Sequence, residues 1–164
     1  MRHIIKRILK EEIDKSKFKK ATTLKGSQWL FDFIRNEEGD PKHKGQPVLT
    51  SYKVGGDVQT IGYGHTGDDV KPNMTITKSE ATQLMYDDLT HAADCVRRLF
   101  KMWEGQNVNV PITQNMFDVL VSLVFNSGCG GVRGSDFILL LKKGDYNKTA
   151  KSMKTYRLKK GFSG

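Results

Sequence analysis

Residues 60–67 read Thr-Ile-Gly-Tyr-Gly-His-Thr-Gly, with two glycines flanking an aromatic ring and with hydroxyls and an imidazole on either side. Glycine is favoured where a backbone bends or closely approaches another group, and a hydroxyl can hold a water. We therefore predict a reactive loop here rather than a packed strand. Glu38 precedes Thr60 by 22 positions. One carboxyl upstream of such a loop indicates acid-assisted hydrolysis.

Length and composition indicate one domain, or one domain with an appendage. The chain has 164 residues, of which 37% are hydrophobic, and this is enough apolar material for a core. No apolar run approaches the length of a membrane span. Cys95 and Cys129 are the two cysteines. We expect them to be buried thiols, with a single bridge between them as the alternative.

Positive charge is concentrated at the two ends of the chain. Residues 1–27 carry nine basic and three acidic residues (net +6), residues 28–141 carry ten and fourteen (net −4), and residues 142–164 carry eight and one (net +7). Basic ends favour a polyanionic partner, and solvated surface lysine is an equal alternative. Basic residues interrupt the N-terminal apolar stretch, so it is not a signal peptide and we expect a chain that is cytoplasmic when made.

Apolar residues recur at helical spacing in six segments. The predicted helices are residues 3–14, from Ser27 to Gly39, from the capping box Thr77–Glu80 to Trp103, from Gln114 to about Phe125, from Ser135 to about Lys143, and from Asp145 to Arg157. The helix from Gln114 is apolar on nearly every side, which predicts a central position. Residues 15–25 form a polar linker in this interpretation.

A small sheet is predicted in the first half of the chain. Val48–Val54 and Val58–Tyr63 are short and β-prone, and the hairpin signal Gly55-Gly56-Asp57 separates them. A sheet followed by a helical body is an α+β arrangement, and we expect a cleft between the two parts.

Glu38 is the leading candidate for a proton donor. Partial burial raises the pKa of a carboxyl, so that it can donate a proton near neutral pH. A solvated surface glutamate is the ordinary alternative, and Glu37 is equally eligible until the buried helical face is known.

Thr60 and Asp57 are the candidates for activating a water. Thr60 could hold the water, and Asp57 could be the second carboxylate. A strand threonine and a turn aspartate are the ordinary alternatives. We expect His65 to be structural and paired with a nearby acid, since Asp68 and Asp69 are close in sequence.

Four blocks in register resemble the phage lysozymes of the T4 type, also called endolysins or muramidases. The blocks are Glu38-Gly39, TIGYGHTG at 60–67 with VKPNMTIT at 70–77, PITQNMFDVLVSLVFNSGCGG at 111–131, and SDFILLLKKGDY at 135–146. The resemblance covers about residues 28–157. It implies a lysozyme-like α+β fold, with a small β-hairpin lobe, a larger helical lobe and a cleft between them.

The resemblance also implies hydrolysis of the β-1,4 bond between N-acetylmuramic acid and N-acetylglucosamine in peptidoglycan, without a cofactor or a metal. By position, Glu38 is similar to the general acid and Thr60 to the residue that positions the attacking water. Thr66, Phe125 and Ser135 align with positions that touch the saccharide in relatives.

The chain departs from the family pattern beside the glycine stretch. Relatives usually have Asp or Cys six positions before the threonine, where this chain has Val54, and residues 41–49 are an insertion. Either Asp57 supplies the second carboxylate, or Glu38 and Thr60 act alone. A lone acid could instead lead to a lytic transglycosylase product. A non-catalytic wall-binding or virion protein is a further alternative, and a nucleic-acid binder is a weaker one.

The ends of the chain also differ from the compact relatives. We divide the chain into a basic extension, residues 1–27, and a catalytic domain, residues 28–164. Packing on the body is our first choice for the extension, ahead of docking on a membrane surface or a virion. The expected C-terminal helix beyond Gly164 is missing or truncated. We expect a monomer without nucleic acid, made in the host cytoplasm and acting on cell-wall peptidoglycan in the periplasm, with virion association as an alternative.

Overall fold

The computed structural model describes residues 14–40, 45–53 and 56–159. Its internal contacts divide the chain into two units, residues 27–91 and residues 1–26 with 92–164. The helices are α1 (Gln28–Glu38), α2 (Lys78–Glu104), α3 (Gln114–Arg133), α4 (Asp136–Lys142) and α5 (Tyr146–Lys159), and the strands are β1 (Val48–Lys53), β2 (Gln59–Gly62) and β3 (His65–Thr66). The α+β prediction is confirmed. The helix predicted over residues 3–14 and the C-terminal residues 160–164 lie outside the described residues, except for Asp14.

Helix α1 begins and ends where the sequence predicts. The Ser27 hydroxyl accepts a hydrogen bond from the Leu30 amide at 3.4 Å, which caps the helix. Leu30 and Ile34 are buried, while Trp29 and Phe33 are half-buried and their rings stack 5.5 Å apart. The predicted apolar face is therefore buried along its centre and only partly covered at its sides.

Three antiparallel strands form the sheet in the order β1-β2-β3. Residues 60–67 are strand, turn and strand, so the prediction of a loop was wrong. Gly62 and Gly64 have φ angles of 69° and 92°, and this left-handed backbone reverses the chain between β2 and β3. The glycines that suggested an open loop are the turn of a hairpin, and Thr60, Ile61 and Tyr63 beside them are buried.

Helix α2 begins with the predicted capping box. The Glu80 carboxylate accepts from the Thr77 amide at 2.7 Å, and the Thr77 hydroxyl accepts from the Glu80 amide at 3.2 Å. The boundary between the two units, at residues 91 and 92, falls within this helix.

Helix α3 is the central helix of its unit. The Thr113 hydroxyl caps it by accepting from the Met116 amide at 3.2 Å, and every residue from Phe117 to Val124 is buried. Gly128 has φ 71° and interrupts the helix, after which helical turns continue to Arg133. The helix that was predicted to end at about Phe125 is therefore interrupted at Gly128 but does not end there.

Cys95 and Cys129 form a disulfide, so the expectation of two buried thiols was wrong. Cys95 lies on α2, and Cys129 directly follows the break at Gly128. The two Cα atoms are 6.1 Å apart, within the range of a bridge. Sequence spacing alone does not reveal this pairing.

Residues 14–26 belong to the unit that contains α3, and they contact later residues of that unit. Lys19 exchanges two backbone hydrogen bonds with Ile112, at 2.8 and 3.0 Å. Ala21 and Leu24 are buried, and the Arg97 guanidinium donates to the Leu24 carbonyl at 2.9 Å. Two short 3-10 turns occupy the segment that the sequence pattern indicates as a polar linker.

The last two helices follow their predicted bounds closely. Ser135 occupies the N-cap position of α4, where the predicted helix begins. Its hydroxyl donates to the Val132 carbonyl at 2.6 Å and therefore does not cap the helix, as a serine at this position would be expected to do. Gly144, with φ 72°, follows the end of α4, and Asp145 accepts from the Lys148 amide at the start of α5. In the described part of the chain, no helix combines the length and apolarity needed to cross a bilayer.

Candidate active site

Burial separates the two adjacent glutamates of α1. Glu38 is the last residue of the helix and is half-buried, whereas Glu37 is exposed. Partial removal from water is what a carboxyl needs in order to act as a proton donor near neutral pH. The helical face therefore favours Glu38, the residue predicted from the sequence.

The chain leaves Glu38 through a tightly held turn. The Asp40 amide donates to the Gln46 carbonyl at 2.7 Å, which holds the residue after Gly39 against the segment before β1. The same carbonyl lies so close to the Gly39 Cα that a side chain at position 39 would collide with it. Glycine at this position lets the two backbone segments meet and fixes the exit from the helix.

Tyr52, Thr60 and Thr66 form a row across all three strands. Thr60 pairs directly with Tyr52 on one side and with Thr66 on the other. Residues directly opposite each other in antiparallel strands project to the same face, with Cβ atoms about 5 Å apart. Thr60 is 5% exposed, Tyr52 is 38% exposed and Thr66 is exposed. Three hydroxyls therefore share one face, and the central one is sheltered.

The Tyr52 phenol is affected electrostatically by Glu38, the candidate acid. Partial burial raises the pKa of Tyr52, and the negative charges of Glu38 and Asp40 raise it further. Coulombic effects of this kind act at short range in a partly desolvated region. Residues at the end of α1 thus influence the titration of one member of the hydroxyl row. Tyr52 was missed at the level of sequence, because only the strand register places it opposite Thr60.

Asp57 lies beyond the end of the paired strands. The last pair of β1 and β2 is Lys53 with Gln59, and Asp57 is in the turn that follows. Its side chain is 97% exposed and forms an ion pair with Lys53 at 2.7 Å. This environment neither shelters the carboxylate nor aligns it with the row. Val54, the position where relatives have Asp or Cys, lies outside the described residues.

His65 is held between two carboxylates. Its Nδ1 lies 2.8 Å from Asp88 of α2, its Nε2 lies 3.1 Å from Asp69, and its side chain is 13% exposed. Burial lowers the pKa of His65, but the hydrogen bonds to Asp88 and then Asp69 outweigh this effect and raise it overall. The structural pairing with Asp69 was predicted from the sequence, whereas Asp88, 23 residues away, was not.

Phe125 and Ser135 belong to the other unit. Phe125 is half-buried and precedes the break in α3. Ser135 is 6% exposed, and its hydroxyl is already engaged by the Val132 carbonyl. The predicted saccharide contact at Ser135 therefore has a hydroxyl that is buried and used in the fold, while Phe125 retains partial exposure.

The fold and these residues define a lysozyme-like protein, and the sequence profile of the phage lysozyme family matches residues 43–164. The chain belongs to the phage lysozyme family. The matched residues include Thr60, Asp57 and the three predicted saccharide contacts. Glu38 precedes the match by five positions, so its assignment depends on the geometry around α1 and on the Glu38-Gly39 resemblance.

The chain is similar to several phage endolysins, and it covers different shares of their lengths. The chain is 32% identical over 121 residues to an endolysin of Salmonella phage P22, covering 71% of this chain and 73% of the relative. It is 38% identical over 91 residues to an endolysin of Bacillus phage B103, covering 56% of this chain and 32% of the relative. The chain thus spans about a third of the length of the Bacillus phage relatives it matches.

Solved structures support the same assignment. The muramidase domain of SpmX from Asticaccaulis excentricus superposes with a TM-score of 0.65 at 27% identity, covering 80% of this chain and 79% of that chain. A single-residue mutant of P22 lysozyme superposes with a TM-score of 0.59 at 30% identity, covering 79% and 82%. The lysozyme-like fold is therefore shared across these proteins.

Proposed function

We propose that this chain is an endolysin that hydrolyses the β-1,4 bond between N-acetylmuramic acid and N-acetylglucosamine in bacterial peptidoglycan. One observation carries the proposal beyond family membership. The half-buried Glu38 belongs to the same unit as the sheet, its negative charge helps to raise the pKa of Tyr52, and Tyr52 pairs with Thr60. Glycoside hydrolysis needs a proton donor for the leaving oxygen, and a sheltered hydroxyl beside it can hold the attacking water.

In the proposed mechanism, Glu38 protonates the glycosidic oxygen as the bond to the anomeric carbon breaks. Thr60 orients the water that attacks this carbon. One proton of the water stays on the new anomeric hydroxyl, and the other passes to a base. Asp57 is the second carboxylate predicted from the sequence, although its exposure and its pairing with Lys53 weigh against it. Thr66, Phe125 and Ser135 are the proposed saccharide contacts, and the buried Ser135 is the weakest of the three.

The proposed setting follows from the same activity. The chain is made in the host cytoplasm and acts on peptidoglycan of the cell wall in the periplasm, as a monomer. We propose that residues 1–27 pack on the body. The contacts of the described residues 14–26 with Ile112 and Arg97 support this, and residues 1–13 lie outside the described residues. Docking of this extension on a membrane surface or a virion is the alternative. The division into an extension and residues 28–164 remains a proposal.

The matched pair Glu38→Gln and Glu37→Gln tests the acid. Both substitutions remove one carboxyl from the same turn of α1, but only Glu38 is half-buried. We expect Glu38→Gln to lower lysis of a peptidoglycan suspension by at least about 100-fold, since general acids contribute roughly 10²–10⁴-fold. Glu37→Gln should lyse at nearly the wild-type rate. Near-normal lysis by Glu38→Gln with unchanged thermal unfolding would sink the assignment.

Asp57→Asn decides the role of the turn carboxylate in the same assay. Full activity would remove Asp57 from the mechanism and leave Glu38 and Thr60 as the minimal site. A loss comparable to that of Glu38→Gln would establish Asp57 as the second carboxylate. If the wild-type chain binds peptidoglycan without clearing the suspension, a non-catalytic wall-binding protein replaces the proposal.

A further inference from the structure

The hydroxyl row contains one member that was not predicted from the sequence. Thr60 and Thr66 are candidates from the sequence, and both lie in the 60–67 stretch. Tyr52 is on β1, and it joins them only because the register pairs it with Thr60. The neighbouring pair, Lys53 with Gln59, continues the same register, so the placement of Tyr52 does not depend on a single contact.

Strand β1 is also held on its other side. The Ser51 amide donates to the Met74 carbonyl at 2.8 Å, and the Ile76 amide donates to the Leu49 carbonyl at 2.9 Å. Tyr52 therefore projects from a strand that is fixed along both edges. A binding group on such a strand needs little reorganisation when it meets its ligand.

We propose that Tyr52 is a substrate-binding residue, and that its phenol and the Thr66 hydroxyl flank Thr60 as hydrogen-bonding groups for the glycan. This inference rests on the proposed peptidoglycan activity. The row crosses two strand spacings, about 10 Å in all, which gives a polysaccharide a line of contacts rather than one point. Tyr52 and Thr66 are the accessible ends of the row, and Thr60 is its sheltered centre.

Tyrosine suits this position because it offers two kinds of contact. Its ring supplies a rigid apolar surface, and its hydroxyl both donates and accepts a hydrogen bond. The ordinary alternative is a strand tyrosine that only packs against its neighbours. The two roles differ at the phenol oxygen, because a packing role needs the ring alone.

Tyr52→Phe removes that oxygen and keeps the ring, and Tyr86→Phe is its matched control. Tyr86 lies in the same unit but on α2, where its ring packs 4.4 Å from that of Phe31. Losing a hydrogen bond to the glycan should raise the KM of Tyr52→Phe by about 2–10-fold, with kcat within about twofold of wild type. Tyr86→Phe should retain the wild-type KM. Thermal unfolding of Tyr52→Phe should match that of the wild type.

The pH profile provides a second readout. Because partial burial and then the charges of Glu38 and Asp40 raise the pKa of Tyr52 from its ordinary value, its phenol stays neutral through the pH range of the assay. The ratio of wild-type to Tyr52→Phe kcat/KM should therefore be constant between about pH 5 and 9. A ratio that rises with pH would assign a proton-transfer role to Tyr52 and overturn a binding role.

A binding measurement separates this inference from the proposed activity. Soluble, uncross-linked peptidoglycan strands would be titrated calorimetrically into Glu38→Gln and into Glu38→Gln with Tyr52→Phe. We expect the second variant to bind about 2–10-fold more weakly. An unchanged Kd and an unchanged KM would overturn the role of Tyr52 and leave the hydrolase intact. If the wild-type chain binds the strands without cleaving them, the proposed hydrolase activity is wrong. The effect of Tyr52→Phe on the Kd would still test the binding role of Tyr52.

Discussion

At the scale of single residues, the site depends on small differences between neighbours. Glu37 and Glu38 have the same chemistry, and one position on the helix decides which is half-buried. Gly39 follows, with the Gln46 carbonyl against its Cα. The backbone conformation of Gly39 helps to place the Glu38 carboxyl. A substitution that alters this backbone without altering any charged group should therefore also lower the activity.

Gly39→Ala tests this close approach. The added methyl would collide with the Gln46 carbonyl, and the turn after Glu38 would have to shift. We expect a loss of about 1–3 kcal/mol in the free energy of unfolding and a clear fall in lysis. Gly130→Ala is the control, since an added Cβ there meets nothing within 4 Å. Equal stability of the two variants in urea unfolding would contradict the role of Gly39.

Between elements, His65 joins the β2–β3 hairpin to α2. The pair His65–Asp88 connects β3 with the helix, and Asp69 binds the second ring nitrogen. The raised pKa of His65 means that the folded state favours the protonated ring. This stabilisation is fully present below the ordinary pKa of 6.5 and is lost as pH rises through the higher folded-state value.

A double-mutant cycle between His65→Gln and Asp88→Asn measures this dependence. The coupling energy should be largest below about pH 6 and should shrink at pH 8 and above, because the ring then loses its charge. Asp87→Asn is the control, as Asp87 is exposed and hydrogen-bonds Gln83 instead. A coupling that is independent of pH would show that the ring stays in one protonation state.

Elements with local signals could be predicted from the sequence, and those that depend on distant partners could not. Ser27, Thr77 and Thr113 each cap a helix where the sequence indicates, because a cap is formed by residues three apart. Strand β3 is two residues long and has no apolar periodicity to reveal it. The placement of Tyr52 depends on a register that passes an irregularity between Val48 and Tyr52.

Across the whole molecule, the disulfide is a covalent constraint that the sequence indicated only as the alternative to two thiols. Cys95 and Cys129 are separated by 34 residues, and the bridge closes the loop between them. A closed loop of this length restricts the unfolded chain and contributes about 3–4 kcal/mol in the chain-entropy model. The stability of the chain should therefore depend on its redox environment.

Unfolding in urea with and without dithiothreitol measures this contribution. The wild-type chain should lose about 3–4 kcal/mol when reduced. The variant with both Cys95→Ala and Cys129→Ala should respond to urea identically with and without the reductant. A wild-type transition that does not move after complete reduction, verified by thiol titration, would show that the bridge adds no net stability.

We propose above all that Glu38 protonates the glycosidic oxygen of peptidoglycan while Thr60 orients the water that attacks the anomeric carbon. Mass spectrometry of the glycan fragments released from purified peptidoglycan tests it most directly. We predict fragments that end in a reducing N-acetylmuramic acid with one added water, and none from Glu38→Gln. Fragments that end in a 1,6-anhydro sugar, or an unchanged yield from Glu38→Gln, would contradict it.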